Sequence, residues 1–121
     1  MRTALFALLL TTAPALAASG PPAKPGQNYL AARQAMLKAG YTTASTANIR
    51  RGCPIGYLDE CQAHEEMFDC SGTGLAGCKF VFWKDDQPVL VQTQGEEIAQ
   101  QKVTRVSVMS VAEQKQLFLN R

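Results

Sequence analysis

The sequence predicts an α+β fold in which one N-terminal helix packs on a small antiparallel β-sheet, stapled by two disulfides. Three observations predict it. A stretch with helical apolar spacing, "NYLAARQAMLKAGY", comes before any strand-like run. Runs rich in β-branched and aromatic residues follow, separated by turn residues. Four cysteines, Cys53, Cys61, Cys70 and Cys78, occur in a chain of 121 residues, and an even count in a short exported chain reads as a disulfide framework.

Export is the expectation from the first residues. Arg2 is followed by a short apolar run over 4–10 and by a small-x-small site at Ala15-Leu16-Ala17, the order of a secretory signal peptide spanning 1–17. The run is far shorter than the ~20 residues that cross a bilayer, and no cysteine stands at the cut to accept a lipid. The expected product is periplasmic or secreted, with no integral membrane segment after cleavage. Residues 18–27, "ASGPPAKPGQ", read as a flexible leader, and 28–121 as a single small domain.

In the helix, Tyr29, Ala32, Met36 and Ala39 form an apolar stripe that Leu37 widens, with Arg33, Gln34 and Lys38 outside it. Asn28 is placed to cap its start and Gly40 to end it. Residues 42–56 lack a period and leave room for one irregular strand near 47–51. Asp59 and Gln62 resemble a helix-start box, giving a short helix near 59–65. "CKFVFW" (78–83) and "PVLVQT" (88–93) are strands joined by the turn "KDDQ", and "KVTRVSVM" (102–109) is a half-buried strand. Ser110 with Glu113 starts a closing helix, "VAEQKQLFL", whose Leu117 packs back.

The segment "CSGTGLAGC" contains G-x-G-x-x-G at Gly72, Gly74 and Gly77. A dinucleotide site needs that pattern to open a helix inside a parallel βαβ unit. Here Gly77 leads into a strand, so the glycines read as hairpin geometry. Pairing 66–70 antiparallel with 78–83 sets Cys70 opposite Cys78 and Phe68 opposite Phe80, which satisfies a disulfide and an aromatic cross-strand pair in one register. By elimination Cys53 joins Cys61. The rival, four-cysteine zinc, lacks close C-x-x-C pairs.

The combination "YLAARQAMLKAGY", "CSGTGLAGCKFVFW" and "LVQTQGE" resembles a recurring type of small exported bacterial protein, with a Tyr-x-x-Ala-Arg helix and a Cys-Ser-Gly-Thr-Gly…Cys hairpin. The similarity covers most of residues 28–96. It implies the architecture and export, and no catalytic residues. Cys53 and Cys61 are additions to that pattern.

Chemistry-bearing constellations are sparse. His64 is the single histidine, and "HEEMF" puts Phe68 where H-E-x-x-H needs its second ligand. No nucleophile elbow or Ser-His-Asp set can be assembled. The formal charge of +2, lower by one once Arg2 is cut away, gives no case for nucleic acid or an anionic membrane as partner, since both need a concentrated basic face. No cofactor is implied. Asp59, Glu60, Glu65, Glu66 and Asp69 form an acidic stretch without Lys or Arg, preceded by Arg50 and Arg51. It reads as a solvated face, or as a lobe for a basic partner. The expectation is an exported non-enzymatic binding module, an inhibitor or immunity-type protector acting on a protein or envelope component. Its candidate contacts are Trp83, Arg50, Arg51, Glu65 and Glu66. The alternatives are a small-ligand or metal carrier using the acidic lobe around His64, and an unrecognised envelope hydrolase.

Overall fold

A computed structural model of the chain describes residues 20–43, 58–71 and 77–119. The expected signal peptide, the irregular strand near 47–51, and Arg50, Arg51, Cys53, Gly72 and Gly74 lie outside the described residues. Within them the fold is α+β. The elements are α1 (Tyr29–Lys38), α2 (Leu58–Ala63), β1 (Met67–Cys70), β2 (Cys78–Lys84), β3 (Gln87–Gln94), a 3-10 turn (Ile98–Gln100), β4 (Lys102–Val108) and α3 (Val111–Leu119). The strands form one four-stranded antiparallel sheet in the order β1-β2-β3-β4.

Both faces of the sheet are built by period-2 alternation. Phe80, Phe82, Val89, Val91 and Val103 point to one face, where Tyr29, Ala32 and Met36 of α1 cover them. Tyr29 stacks on Phe80 with ring centroids 3.8 Å apart. Val81 and Leu90 point to the other face and meet Leu117 and Phe118 of α3. Tyr29, Ala32 and Met36 of the predicted stripe are the covering surface of α1, with Leu30 in place of Leu37 packed beside them, and Leu117 packs back as expected. Asn28 caps α1, its Oδ1 accepting from the amide of Leu30 at 3.0 Å. Gly40 takes φ +90 just past the helix end, a conformation suited to glycine. Ser110 starts α3, its Oγ accepting from the amide of Glu113 at 3.1 Å.

Two expectations need correction. First, the Pro- and Gly-rich leader is docked over residues 20–27. Ala23 is buried in the core, the Gly26 amide donates to Val103 O (2.7 Å), and the Val103 amide donates to Gln27 O (2.8 Å). These bonds cover one end of the β4 edge, which would otherwise be left with unpaired backbone groups. Second, Phe68 does not face Phe80. Cys70 does pair with Cys78, but a β-bulge between Met67 and Asp69 sets Met67 opposite Phe80. The extra residue, Phe68, turns to the α3 face and meets Phe118 edge-on at 5.7 Å. One inserted residue swaps faces because the strand period is two. The expected Cys70–Cys78 disulfide is present, and Cys61 is also disulfide-bonded. The expected partner of Cys61, Cys53, lies outside the described residues, and no described cysteine is free.

The turn between β2 and β3 has two residues, Asp85 and Asp86, both with positive φ (50° and 62°). A two-residue hairpin loop of this hand suits the sheet twist, and Asn-Gly is its preferred occupant. Replacing Asp85-Asp86 by Asn-Gly should raise stability by about 1 kcal/mol in urea unfolding, by relieving left-handed strain and one like-charge contact. An unchanged midpoint would show that the aspartates carry no strain.

Candidate functional site

Two polar constellations stand out. The first is internal. Glu66, in the turn between α2 and β1, is 2 % exposed. Its Oε1 accepts from the Tyr29 hydroxyl (2.7 Å) and from Arg33 Nε, while His64 Nδ1 lies 3.7 Å away. Glu66 was expected on a solvated acidic face. It is instead the anion that α1 and β1 share, because Tyr29 and Arg33 sit one turn apart on the helix and reach it together. Arg33 was placed outside the apolar stripe, yet its side chain is largely covered. Burial, then the charge and hydrogen bond of Glu66, push the Tyr29 hydroxyl far above its ordinary range. Burial works against the charged Arg33, but the bond to Glu66 and its charge prevail and hold the guanidinium more firmly protonated. Glu66 Oε2 and His64 Nδ1 are buried without a hydrogen-bond partner among the described residues.

Burial lowers the His64 pKa below its ordinary 6.5, with Arg33 acting in the same direction and Glu66 and Glu60 opposing. The folded state thus binds this proton less tightly than the unfolded chain. The stability His64 contributes is present above pH ~6.5 and is lost as the pH falls through the lower folded-state value. Unfolding midpoints recorded between pH 7.5 and 5 should fall more steeply for the wild type than for His64→Gln. Parallel slopes would remove His64 as the cause.

The second constellation is open. A groove of about 570 Å³ lies at the disulfide end of the sheet, lined by backbone and side chains that include Asp69, Lys79, Gln92, Gln94 and Thr104. It forms because α3 covers only part of its face, the part occupied by Phe68, Val81 and Leu90. Beyond that cover the same face continues as polar residues. Asp69, Lys79, Gln92 and Arg105 are successive register partners across all four strands, and Gln94 pairs with Lys102 in the neighbouring row. Gly77 borders this groove. A Cβ there would come within 2.5 Å of Thr93 O, so Gly77 serves the hairpin by permitting a close backbone approach.

Behind the groove, Gln101 is fully buried. The Thr93 hydroxyl donates to its Oε1 (2.6 Å), which directs its Nε2 to Gly95 O (3.2 Å) and Cys78 Sγ (3.3 Å). The floor of the groove is thus tied to the disulfide and to the turn after β3.

The remaining candidates are scattered. Glu65 is exposed. Trp83 is half-buried and stacks on Phe118 at 6.0 Å, so its ring closes the α3 interface. Asp59 and Glu60 lie in the first turn of α2, which places Asp59 inside the helix and not ahead of it. No group of three His, Cys, Asp or Glu able to hold a metal is found among the described residues. Lys79, Gln92, Gln94, Lys102 and Arg105 were missed by sequence reasoning. Their signal was the polar phase of the strand alternation, legible only once strand order and register were known.

The chain matches no family model, no curated protein and no solved structure.

Proposed function

We propose that the protein is an exported, non-enzymatic module that binds a protein or another envelope component, in the manner of an inhibitor or protector, through the polar half of its sheet. The observation that carries this reading is the groove left uncovered by α3, walled by four strands in fixed register and set beside the Cys70–Cys78 staple. A rigid, pre-formed concave surface loses little entropy on binding. Its lining carries amide, hydroxyl and charged side chains beside the disulfide, which suits recognition. The β4 edge is a poorer candidate: residues 26–28 cover one end, and a bulge interrupts its pairing with β3 between Gln92 and Thr93, both devices that discourage strand addition. The carrier reading loses ground because Glu66 is turned inward from the acidic lobe on which that reading relied.

The test is capture from an envelope extract of the host, comparing the wild type with Gln92→Trp and Gln94→Trp. These exposed or half-exposed sites accept a bulky ring that fills the groove. A discrete partner retained by the wild type and lost by both variants, at unchanged melting temperature, is the expected result. Equal capture by all three would eliminate the groove as the binding surface.

A further inference from the structure

Resting on that reading, we infer that the groove takes an acidic, extended segment of a protein partner, with carboxylates held by Lys79, Lys102 and Arg105 and amides by Gln92 and Gln94. The three cations come from separate places in the sequence and are gathered by the fold. Lys79 shares a face with Val81, two residues along β2. Arg105 and Lys102 do not line the groove itself; they share its face beside it as the register partners of Gln92 and Gln94, which do line it. Lys102 and Arg105 are exposed and Lys79 half-exposed. The ion pairs among the described residues are those of Glu66 with Arg33 and His64, so none of the three cations is engaged in one. Asp69 is the carboxylate beside them, at the β1 end of the row. The patch is therefore cationic on a chain whose total charge is small.

Spacing favours a peptide. Lys79 and Arg105 lie on strands with β3 between them, about 10 Å apart at the backbone. Alternate residues of an extended segment stand about 7 Å apart on one side, within reach of both flexible cations. A Glu-x-Glu sequence thus presents two carboxylates to two or three cations, while Gln92 and Gln94 offer donors and acceptors to its backbone. A polyphosphate or nucleic acid asks for a longer basic strip than these three cations supply.

The ¹⁵N-labelled protein should be titrated with a capped hexapeptide carrying glutamate at alternate positions, and with the same peptide carrying glutamine. The glutamate peptide is expected to bind about tenfold more tightly, the sum of two surface ion pairs near the upper end of their usual range. Its amide shifts should be confined to residues 69–71, 77–79, 92–94 and 102–105, and the preference should weaken with salt. In the triple variant Lys79→Gln/Lys102→Gln/Arg105→Gln, whose substitutions are at the surface, the preference should vanish while the spectrum stays folded. Equal affinity of the two peptides at the groove would overturn the acidic preference and leave the binding reading standing. Tighter binding of a sulfated oligosaccharide of equal charge would overturn the peptide assignment. Absence of groove shifts with either peptide would overturn this inference; the binding reading itself falls only if the tryptophan variants also keep their partner.

Discussion

Replacing Glu66 with alanine is expected to cost the domain about 3–5 kcal/mol, the range for breaking a buried, hydrogen-bonded charge pair by removing one member. The carboxylate is the acceptor for the Tyr29 hydroxyl and for Arg33 Nε. Without it a buried hydroxyl and a largely covered guanidinium lose their partner at once, and α1 loses its polar tie to the turn before β1. Glu66→Gln keeps an oxygen in place and removes the charge, so it should cost markedly less than alanine. Tyr29→Phe removes one hydrogen bond while keeping the stack on Phe80, and should cost about 1–2 kcal/mol. Urea unfolding of the three variants gives the order directly. A Glu66→Ala loss below 1 kcal/mol would mean that the cluster contributes little beyond its packing.

The second large effect is removal of the Cys70–Cys78 bond by changing both residues to alanine, with Cys53 and Cys61 left intact. The bond joins residues eight apart in sequence, for which chain entropy gives about 2.5 kcal/mol. The loss should come with a larger denaturant dependence, because an uncrosslinked unfolded chain exposes more surface. Serine at position 78 should recover part of the loss by again offering an acceptor to Gln101 Nε2. Equal midpoints for wild type and double variant would show that the register of β1 on β2 holds without the staple.

These two sites differ in how visible they are in the sequence. The Cys70/Cys78 pairing follows from two cysteines flanking a glycine-rich loop, and the strands follow from alternation, so β2, β3, β4 and the stripe of α1 were legible. Phe68 was assigned to the wrong face because a bulge leaves no mark in a period-two pattern until the partner strand is known. Glu66 was read as solvated because its neighbours in sequence are acidic, whereas its partners Tyr29 and Arg33 lie 37 and 33 residues away. The groove was hidden for the same reason. Lys79, Lys102 and Arg105 become neighbours only when β2, β3 and β4 are laid side by side, and a whole-chain charge near zero averages them away.

The double-sided burial of β2 carries one more consequence, for the chain before it finishes folding. Phe80, Val81 and Phe82 are buried, and one of the two layers that hide them is α3, the final described element. During synthesis the face bearing Val81 stays uncovered until α3 has emerged and docked. A short run of aromatic and β-branched residues left open in this way is a template for aggregation. Lys79 within the strand, and Lys84, Asp85 and Asp86 at its far end, are charges of the kind that act as gatekeepers against such stacking. Lys79 would then serve twice, first by keeping nascent chains apart and later by facing the groove.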